Sequence, residues 1–122
     1  MHEVGLAEGI METVRLRAAD RPVARVRVRI GTLHRASQGP MEQAFEMVGA
    51  GTNLQDAQLE LVQVPVRNVC SGCGNVEESA DRIGVCTACG GFALTCEGGD
   101  ELILESIEYR EAAAPPVGSA AG

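Results

Sequence analysis

The spacing of apolar residues predicts two amphipathic helices. From Gly5 to about Ala19, apolar residues recur at every fourth position, which places them on one face of a helix. They are Leu6, Ile10, Val14 and Ala18. A second helix is predicted from Pro40, a residue that suits a first helical turn, and it ends at the GAG of residues 49–51. Its apolar positions are Met41, Ala44, Phe45 and Val48.

Three other stretches have the character of strands. In RPVARVRVRIG, apolar residues alternate with arginines, which is typical of a half-buried strand. Residues 24, 26, 28 and 30 face one way, and Arg25, Arg27 and Arg29 face either solvent or a partner with acidic groups. In DAQLELVQVPV, Pro65 is expected to stop the strand or to place it at an edge. The last strand, ELILESIEY at 101–109, has apolar residues on both faces, so we expect it at the centre of the sheet.

Residues 66–99 differ in character from the rest of the chain. They are poor in large apolar residues and rich in glycine, and they hold all five cysteines. A lobe of this kind cannot bury a core of its own and needs a cross-link. We therefore predict a zinc-ribbon lobe at 66–99, inserted into an α/β lobe formed by 1–65 and 100–110. The tail 111–122 has nothing to bury and is expected to be disordered.

Four cysteines provide the cross-link. Their pattern is C-x2-C-x12-C-x2-C, at Cys70, Cys73, Cys86 and Cys89. Two tight turns of this kind bring four thiolates around one ion, in the tetrahedral arrangement that Zn²⁺ prefers. An iron–sulfur site is the chemical alternative, which a colourless purified protein would exclude. Because four protein ligands leave no open coordination position, we expect a structural zinc and no catalysis there.

Two further features belong to this lobe. Gly74 and Gly90 directly follow the two cysteine pairs, where the backbone is expected to need a positive φ. Cys96 is left over from the pattern. It is either a small buried apolar residue or a redox or exchange ligand for the zinc.

Composition narrows the classes of function. Ten basic residues, all of them arginine, stand against 17 acidic residues, and the net charge of −7 repels phosphate backbones. The cysteine lobe is itself acidic, and Phe92 is its only aromatic residue, so it lacks a stacking platform for bases. A zinc-ribbon adaptor or a nucleic-acid-binding protein is the function that a four-cysteine lobe on its own would leave as the alternative. The sequence contains no nucleophile motif and no phosphate-binding motif that would indicate an enzyme.

The chain also shows no secretory signal and no membrane-spanning run, so we expect a cytoplasmic protein.

The N-terminal residues MHE offer a second kind of metal site. The Met1 amine and the His2 amide close one chelate ring, and the His2 amide and imidazole Nδ1 close another. The Glu3 amide or carboxylate can supply a further donor. A nitrogen-rich set of this kind favours Ni(II) or Cu(II) over zinc.

The order of motifs along the chain resembles one known family. The motifs are MHE, a strand that ends in IG, AFE at 44–46, the four-cysteine lobe and the final GDELILESIE. Together they resemble the HypA/HybF family, which comprises nickel-incorporation accessory proteins for [NiFe]-hydrogenase and, in some bacteria, urease. The resemblance covers about residues 1–110.

The resemblance implies a metallochaperone and not an enzyme. It implies nickel binding at Met1, His2 and Glu3, and a structural zinc site at the four cysteines. The implied fold is α+β: a small sheet of about three strands with two helices forms the nickel-binding lobe, with a zinc ribbon inserted between strands. The implied partners are a nickel-handling GTPase and the hydrogenase large-subunit precursor, with urease accessory proteins as further partners.

Two positions depart from the family pattern. Some relatives have a carboxylate in the loop after the first strand, where this chain has Ser37, a poor ligand. His34 lies close by and is either a substitute ligand or a solvated loop histidine. Some relatives also have histidines directly after the cysteine pairs, where this chain has Gly74 and Gly90. An exchange of zinc ligands through adjacent histidines is therefore not expected.

Overall fold

The computed structural model describes residues 2–110. Met1, one of the three predicted nickel ligands, and the tail 111–122, predicted to be disordered, lie outside the described residues. The elements follow in chain order: α1 (His2–Ala18), β1 (Val23–Gly31), a 3₁₀ turn (Thr32–His34), α2 (Gln38–Gly49), β2 (Gln58–Val64), β3 (Val66–Cys70), β4 (Val76–Ser79), β5 (Leu94–Glu97) and β6 (Leu102–Tyr109).

The strands form two small sheets. The first has the order β2-β1-β6 and the second the order β4-β3-β5, with β3 antiparallel to both of its neighbours. Two helices with two three-stranded sheets confirm the predicted α+β class. Neither helix within residues 2–110 has the length and apolar character that crossing a lipid bilayer requires.

The chain divides into two compact units. The described residues of the first unit are 2–28, 37–60 and 104–110, and those of the second are 29–36 and 61–103. All five cysteines belong to the second unit. The lobe boundaries expected from the sequence stay a prediction.

Helix α1 begins three residues earlier than its apolar spacing predicted. Glu3 lies in its first turn, where the helix dipole stabilises an acidic side chain. At the other end Ala19 adopts a left-handed φ of 54° and leaves the helix. Most of the predicted stripe is buried, whereas Leu6 is half-buried. The buried residues of α1 are Ala7, Ile10, Met11, Val14 and Ala18.

Helix α2 begins two residues before Pro40, after Ser37 at its N-cap. Pro40 is tolerated at the third helical position because the N–H groups of the first turn have no acceptor within the helix. The helix ends at Gly49, as predicted. Its buried residues, Met41, Ala44 and Phe45, join the core that α1 and α2 form by packing against each other.

Strand β1 is the centre of the first sheet. Its predicted inward residues at 26, 28 and 30 are buried. On the other face, Arg27 Nε lies 3.2 Å from Glu105 Oε1 of β6 and 4.0 Å from Glu60 Oε2 of β2. Arg27, the middle residue of the arginine face, therefore meets acidic groups of its own chain. Because these side chains are more than one-third exposed, each pair contributes at most about 1 kcal/mol to stability.

The two outer strands of this sheet are β2 and β6, and only β2 agrees with its prediction. Strand β2 ends at Val64, and Pro65 separates it from β3, as predicted. Strand β6 lies at an edge, so its predicted central position is wrong. The sheet has three strands and β1 takes the middle, which leaves Leu102 and Ile103 of β6 44% and 49% exposed.

The end of β1 approaches the start of β6 very closely. Gly31 N donates to Glu101 O, and Leu33 N donates to Gly99 O, both at 2.8 Å. A Cβ atom at Gly31 would overlap the carbonyl group of Gly99 and lie 2.5 Å from Asp100 N. Gly99 itself has a φ of +87°, which favours glycine. The IG and GDEL motifs thus meet at one backbone contact within the second unit.

We expect Gly31→Ala to lower the free energy of unfolding by about 1–3 kcal/mol, because its methyl group would force the two backbone segments apart. Gly9→Ala is the matched control. Gly9 lies in α1 with open space where its Cβ would be, so alanine should stabilise the helix by about 0.5–1 kcal/mol. Denaturant unfolding measures both changes, and a Gly31→Ala variant as stable as the parent protein would contradict the close contact.

Candidate metal sites

The two cysteine pairs lie in turns of the same local structure. In the first turn Gly74 N donates to Cys70 O, and in the second Gly90 N donates to Cys86 O, both at 2.8 Å. The two glycines have φ values of +82° and +75°, as the sequence predicted. Each turn therefore bends back on itself, so that both cysteines of a pair point their sulfurs to the same side. An additional bond from Gly91 N to Cys89 Sγ, at 3.4 Å, supports one of these sulfurs.

The two turns bring four sulfurs together. The Sγ atoms of Cys70 and Cys89 are 3.8 Å apart, those of Cys73 and Cys86 are 3.7 Å apart, and all four lie within 4.8 Å of one another. A tetrahedron with bonds of about 2.3 Å from zinc to sulfur has sulfur–sulfur edges of about 3.8 Å. The four cysteines are therefore positioned to hold one metal ion. An iron–sulfur cluster would spread its sulfurs over several iron atoms and so set them farther apart.

The four sulfurs differ in exposure and in acidity. Cys70 and Cys86 are buried, whereas Cys73 and Cys89 are exposed. The N–H of Asn75 lowers the pKa of the Cys73 thiol, but desolvation and the neighbouring thiols outweigh it and raise the pKa to about 12. The N–H groups of Cys89 and Ala88 lower the pKa of Cys86 to about 6. The pKa values of these two thiols are thus shifted in opposite directions.

Cys96 does not belong to the four-sulfur group. It lies on β5 opposite Asn68 of β3, and its thiol donates to Asn68 Oδ1 at 3.2 Å. Its side chain is partly buried, which agrees better with the packing interpretation than with that of an exchange ligand. Asn68 was not singled out from the sequence. A lone asparagine in the strand VRNVC gives no signal of its own, because its partners come from other segments.

The predicted nickel ligands that the structure describes lie in the first turn of α1. His2 Nδ1 is 3.5 Å from Glu3 Oε2, and both side chains are more than one-third exposed. The two donor atoms therefore lie on the same side of the helix start. The backbone N–H groups of a first turn have no acceptor within the helix, so the amides of these residues are not committed to the helix.

The two loop residues considered as further nickel ligands lie in different structural settings. Ser37 is the N-cap of α2, and its side chain makes no capping hydrogen bond. His34 lies in the 3₁₀ turn, and its Nε2 is 3.0 Å from Asp100 O, a contact within the second unit. This contact gives His34 a structural partner.

The arginines and the exposed aromatic ring of the second unit bear on whether it could bind nucleic acid. Arg67 pairs with Glu97 at 3.1 Å, and Arg35 pairs with Asp81, so two of its arginines are matched by acidic groups. Phe92 is 79% exposed. Ion-paired arginines and one aromatic ring do not make the basic, stacking surface that binds single-stranded nucleic acid.

Comparisons with known proteins agree with the resemblance seen in the sequence. A family model described as hydrogenase/urease nickel incorporation, metallochaperone, hypA matches residues 1–109. Hydrogenase maturation factor HypA of Rhodobacter capsulatus is 32% identical over 111 residues, which cover 88% of this chain and 98% of that protein. Hydrogenase maturation factor HypA 2 of Bradyrhizobium diazoefficiens is 36% identical over 111 residues, which again cover 88% of this chain and 98% of that protein. The solution structure of the Ni metallochaperone HypA from Helicobacter pylori is similar with a TM-score of 0.58 and 25% identity, over 89% of this chain and 97% of that one.

We expect Cys73→Ser to abolish stoichiometric metal binding, because it removes one of the four sulfurs at an exposed position where serine buries no polar group. Cys96→Ser is the matched control, since this thiol lies outside the four-sulfur group. Elemental analysis after dialysis against a weak chelator should give one zinc per chain for Cys96→Ser and none for Cys73→Ser. One zinc per chain in both would exclude the four-sulfur site.

Zinc affinity should rise with pH. A bound ion needs thiolates, so at pH 7 binding must displace the Cys73 proton, and below pH 6 it must displace the Cys86 proton as well. For each proton displaced, we expect the zinc affinity to fall by about tenfold when the pH is lowered by one unit. The fall should be steeper below pH 6, where a second proton must be displaced. Chelator competition between pH 5 and pH 8 measures this, and a pH-independent affinity would contradict a thiolate site.

Proposed function

Because the chain belongs to the HypA family of nickel-incorporation metallochaperones, we propose that it binds Ni(II) at its N-terminus and delivers the ion for [NiFe]-hydrogenase maturation, with urease as a second client. The observation that carries the proposal is the placement of His2 Nδ1 beside Glu3 Oε2 at the start of α1. The donor set comprises Met1, His2 and Glu3, of which the last two are described by the structure.

The chemistry of this helix start suits nickel. The terminal amine, the His2 amide and the His2 imidazole supply nitrogen donors, and the Glu3 side chain supplies an oxygen. Deprotonation of a first-turn amide breaks no helical hydrogen bond, because that N–H has no acceptor within the helix. A nitrogen-rich site of this kind favours Ni(II) over Zn²⁺, which prefers tetrahedral surroundings.

Delivery requires release as well as binding. A site built from the first three residues is dismantled when a single helical turn unwinds, and the end turn of a helix costs little to unwind. A receiving protein can therefore take the ion without disturbing the core residues of α1, which start at Ala7. The proposed partners are a nickel-handling GTPase and the hydrogenase large-subunit precursor, together with urease accessory proteins.

The four cysteines would hold a structural Zn²⁺. Four sulfurs fill a tetrahedral site and leave no open position for a substrate, so the ion supplies folding energy and no catalysis. We accordingly propose a carrier protein and not an enzyme. Thiolate ligands persist in a reducing compartment, which supports the cytoplasm as the place of action.

The proposal is tested by nickel titration of the zinc-loaded protein with isothermal calorimetry. We expect one Ni(II) per chain, and we expect binding to be lost both in His2→Ala and in a variant with two residues added ahead of Met1. The added residues move the terminal amine out of chelate reach while leaving every side chain in place.

His34→Ala is the matched control, because it removes the other histidine of the chain, whose partner is Asp100 O. It should bind nickel with unchanged stoichiometry and affinity. Equal nickel binding by the parent protein and the extended variant would refute the N-terminal site. The absence of nickel binding in the parent protein would leave a zinc-ribbon adaptor as the better account.

A further inference from the structure

Asn68 is a fully buried polar residue at the centre of the second sheet. It is 1% exposed, and its side-chain amide is bonded on every side. Its Nδ2 donates to Glu77 O at 3.1 Å and to Ser79 Oγ at 2.9 Å. Its Oδ1 accepts from Ile83 N at 3.2 Å and from Cys96 Sγ at 3.2 Å. A buried amide with all of its hydrogen bonds satisfied holds its partners in one arrangement.

The position of this residue connects the two cysteine pairs. Asn68 lies on β3, two residues before Cys70 of the first pair. Ile83 lies three residues before Cys86 of the second pair, in the segment 80–85 that follows β4 and belongs to no strand. The bond from Ile83 N to Asn68 Oδ1 therefore ties the approach to the second pair to the strand that carries the first.

We propose that Asn68 is a positioning residue for the metal site, which sets the second cysteine pair at the distance from the first that one tetrahedral ion requires. The inference rests on the proposed zinc occupancy of the four cysteines. Asn68 acts through the backbone at Ile83 and makes no contact with the ion itself.

The physical basis is the entropy of the connecting segment. Between the end of β4 at Ser79 and Cys86 the chain runs through six residues. Fixing Ile83 to β3 leaves two residues, 84 and 85, between the tie and Cys86. A shorter free segment loses less conformational freedom when the ion closes the site, so binding is tighter and dissociation slower.

The neighbouring contacts allow this role to be separated from simple packing. Cys96 Sγ touches the same amide from β5, whereas Ser79 Oγ also donates to Asp81 O, which lies in the segment before Cys86. Removing the Cys96 thiol leaves the bond from Ile83 N in place, so Cys96→Ala is the matched control. Ile83→Pro removes the donating N–H and leaves Asn68 itself unchanged.

The experiment measures the rate of zinc transfer from the loaded protein to a chromophoric chelator. Residues that orient metal ligands typically change metal affinity by about 10–100-fold when replaced. We expect zinc dissociation to be about 10–100-fold faster in both Asn68→Ala and Ile83→Pro. Cys96→Ala should stay within about threefold of the parent protein, a margin well below that effect. At saturating Co²⁺, all variants should show the same tetrahedral thiolate absorption spectrum, because the four ligands are unchanged.

Each outcome decides one point. An unchanged rate in Ile83→Pro would overturn the inference, as would a rate in Cys96→Ala as fast as that in Asn68→Ala. If Asn68→Ala does not fold with zinc present, as judged by circular dichroism, Ile83→Pro alone carries the test. A parent protein that binds no zinc would refute the proposed zinc occupancy instead.

Discussion

The second unit depends on one constraint: four cysteine sulfurs must lie close enough together to bind a single metal ion. Its strands are short, and β4 and β5 have no buried residue between them. Its few buried side chains include Val66, Asn68 and two of the cysteines. Hydrophobic burial on this scale does not offset the conformational entropy of ordering the glycine-rich turns. An ion held by four sulfurs supplies the missing free energy, and the αL glycines and the buried amide of Asn68 reduce what that ion must organise.

In the first unit, by contrast, the proposed metal ligands lie outside the part of the structure that holds the fold together. Its core is formed by buried apolar residues of α1, α2 and β1. The candidate ligands are therefore free to lie at the very start of a helix, outside this core. The four-cysteine site and the proposed terminal site therefore differ in how easily each would open. The first arrangement suits an ion that stays, and the second suits an ion that is passed on.

Much of this architecture follows from the sequence because it is local. The period of four in α1, the period of two in β1 and the two C-x2-C-G turns each report on neighbouring residues, and each was predicted correctly. The edge position of β6 was not, because apolar residues on both faces of a strand do not tell which strands lie beside it. The start of α1 at His2 precedes the first residue of the apolar stripe, so apolar spacing does not detect it. The contacts of Asn68 could not be predicted, since its four partners come from three other segments of the chain.

The different exposure of the four cysteines determines which sulfurs an oxidant in solution can reach. Each turn contributes one buried sulfur, from Cys70 or Cys86, and one exposed sulfur, from Cys73 or Cys89. An oxidant in solution therefore reaches one sulfur of each turn first and leaves the other sulfur of each turn shielded. The two buried cysteines come from different turns, so they would still hold a metal ion between both turns if the two exposed sulfurs were oxidised. Oxidation from solution would therefore leave the two turns joined until a buried cysteine was reached.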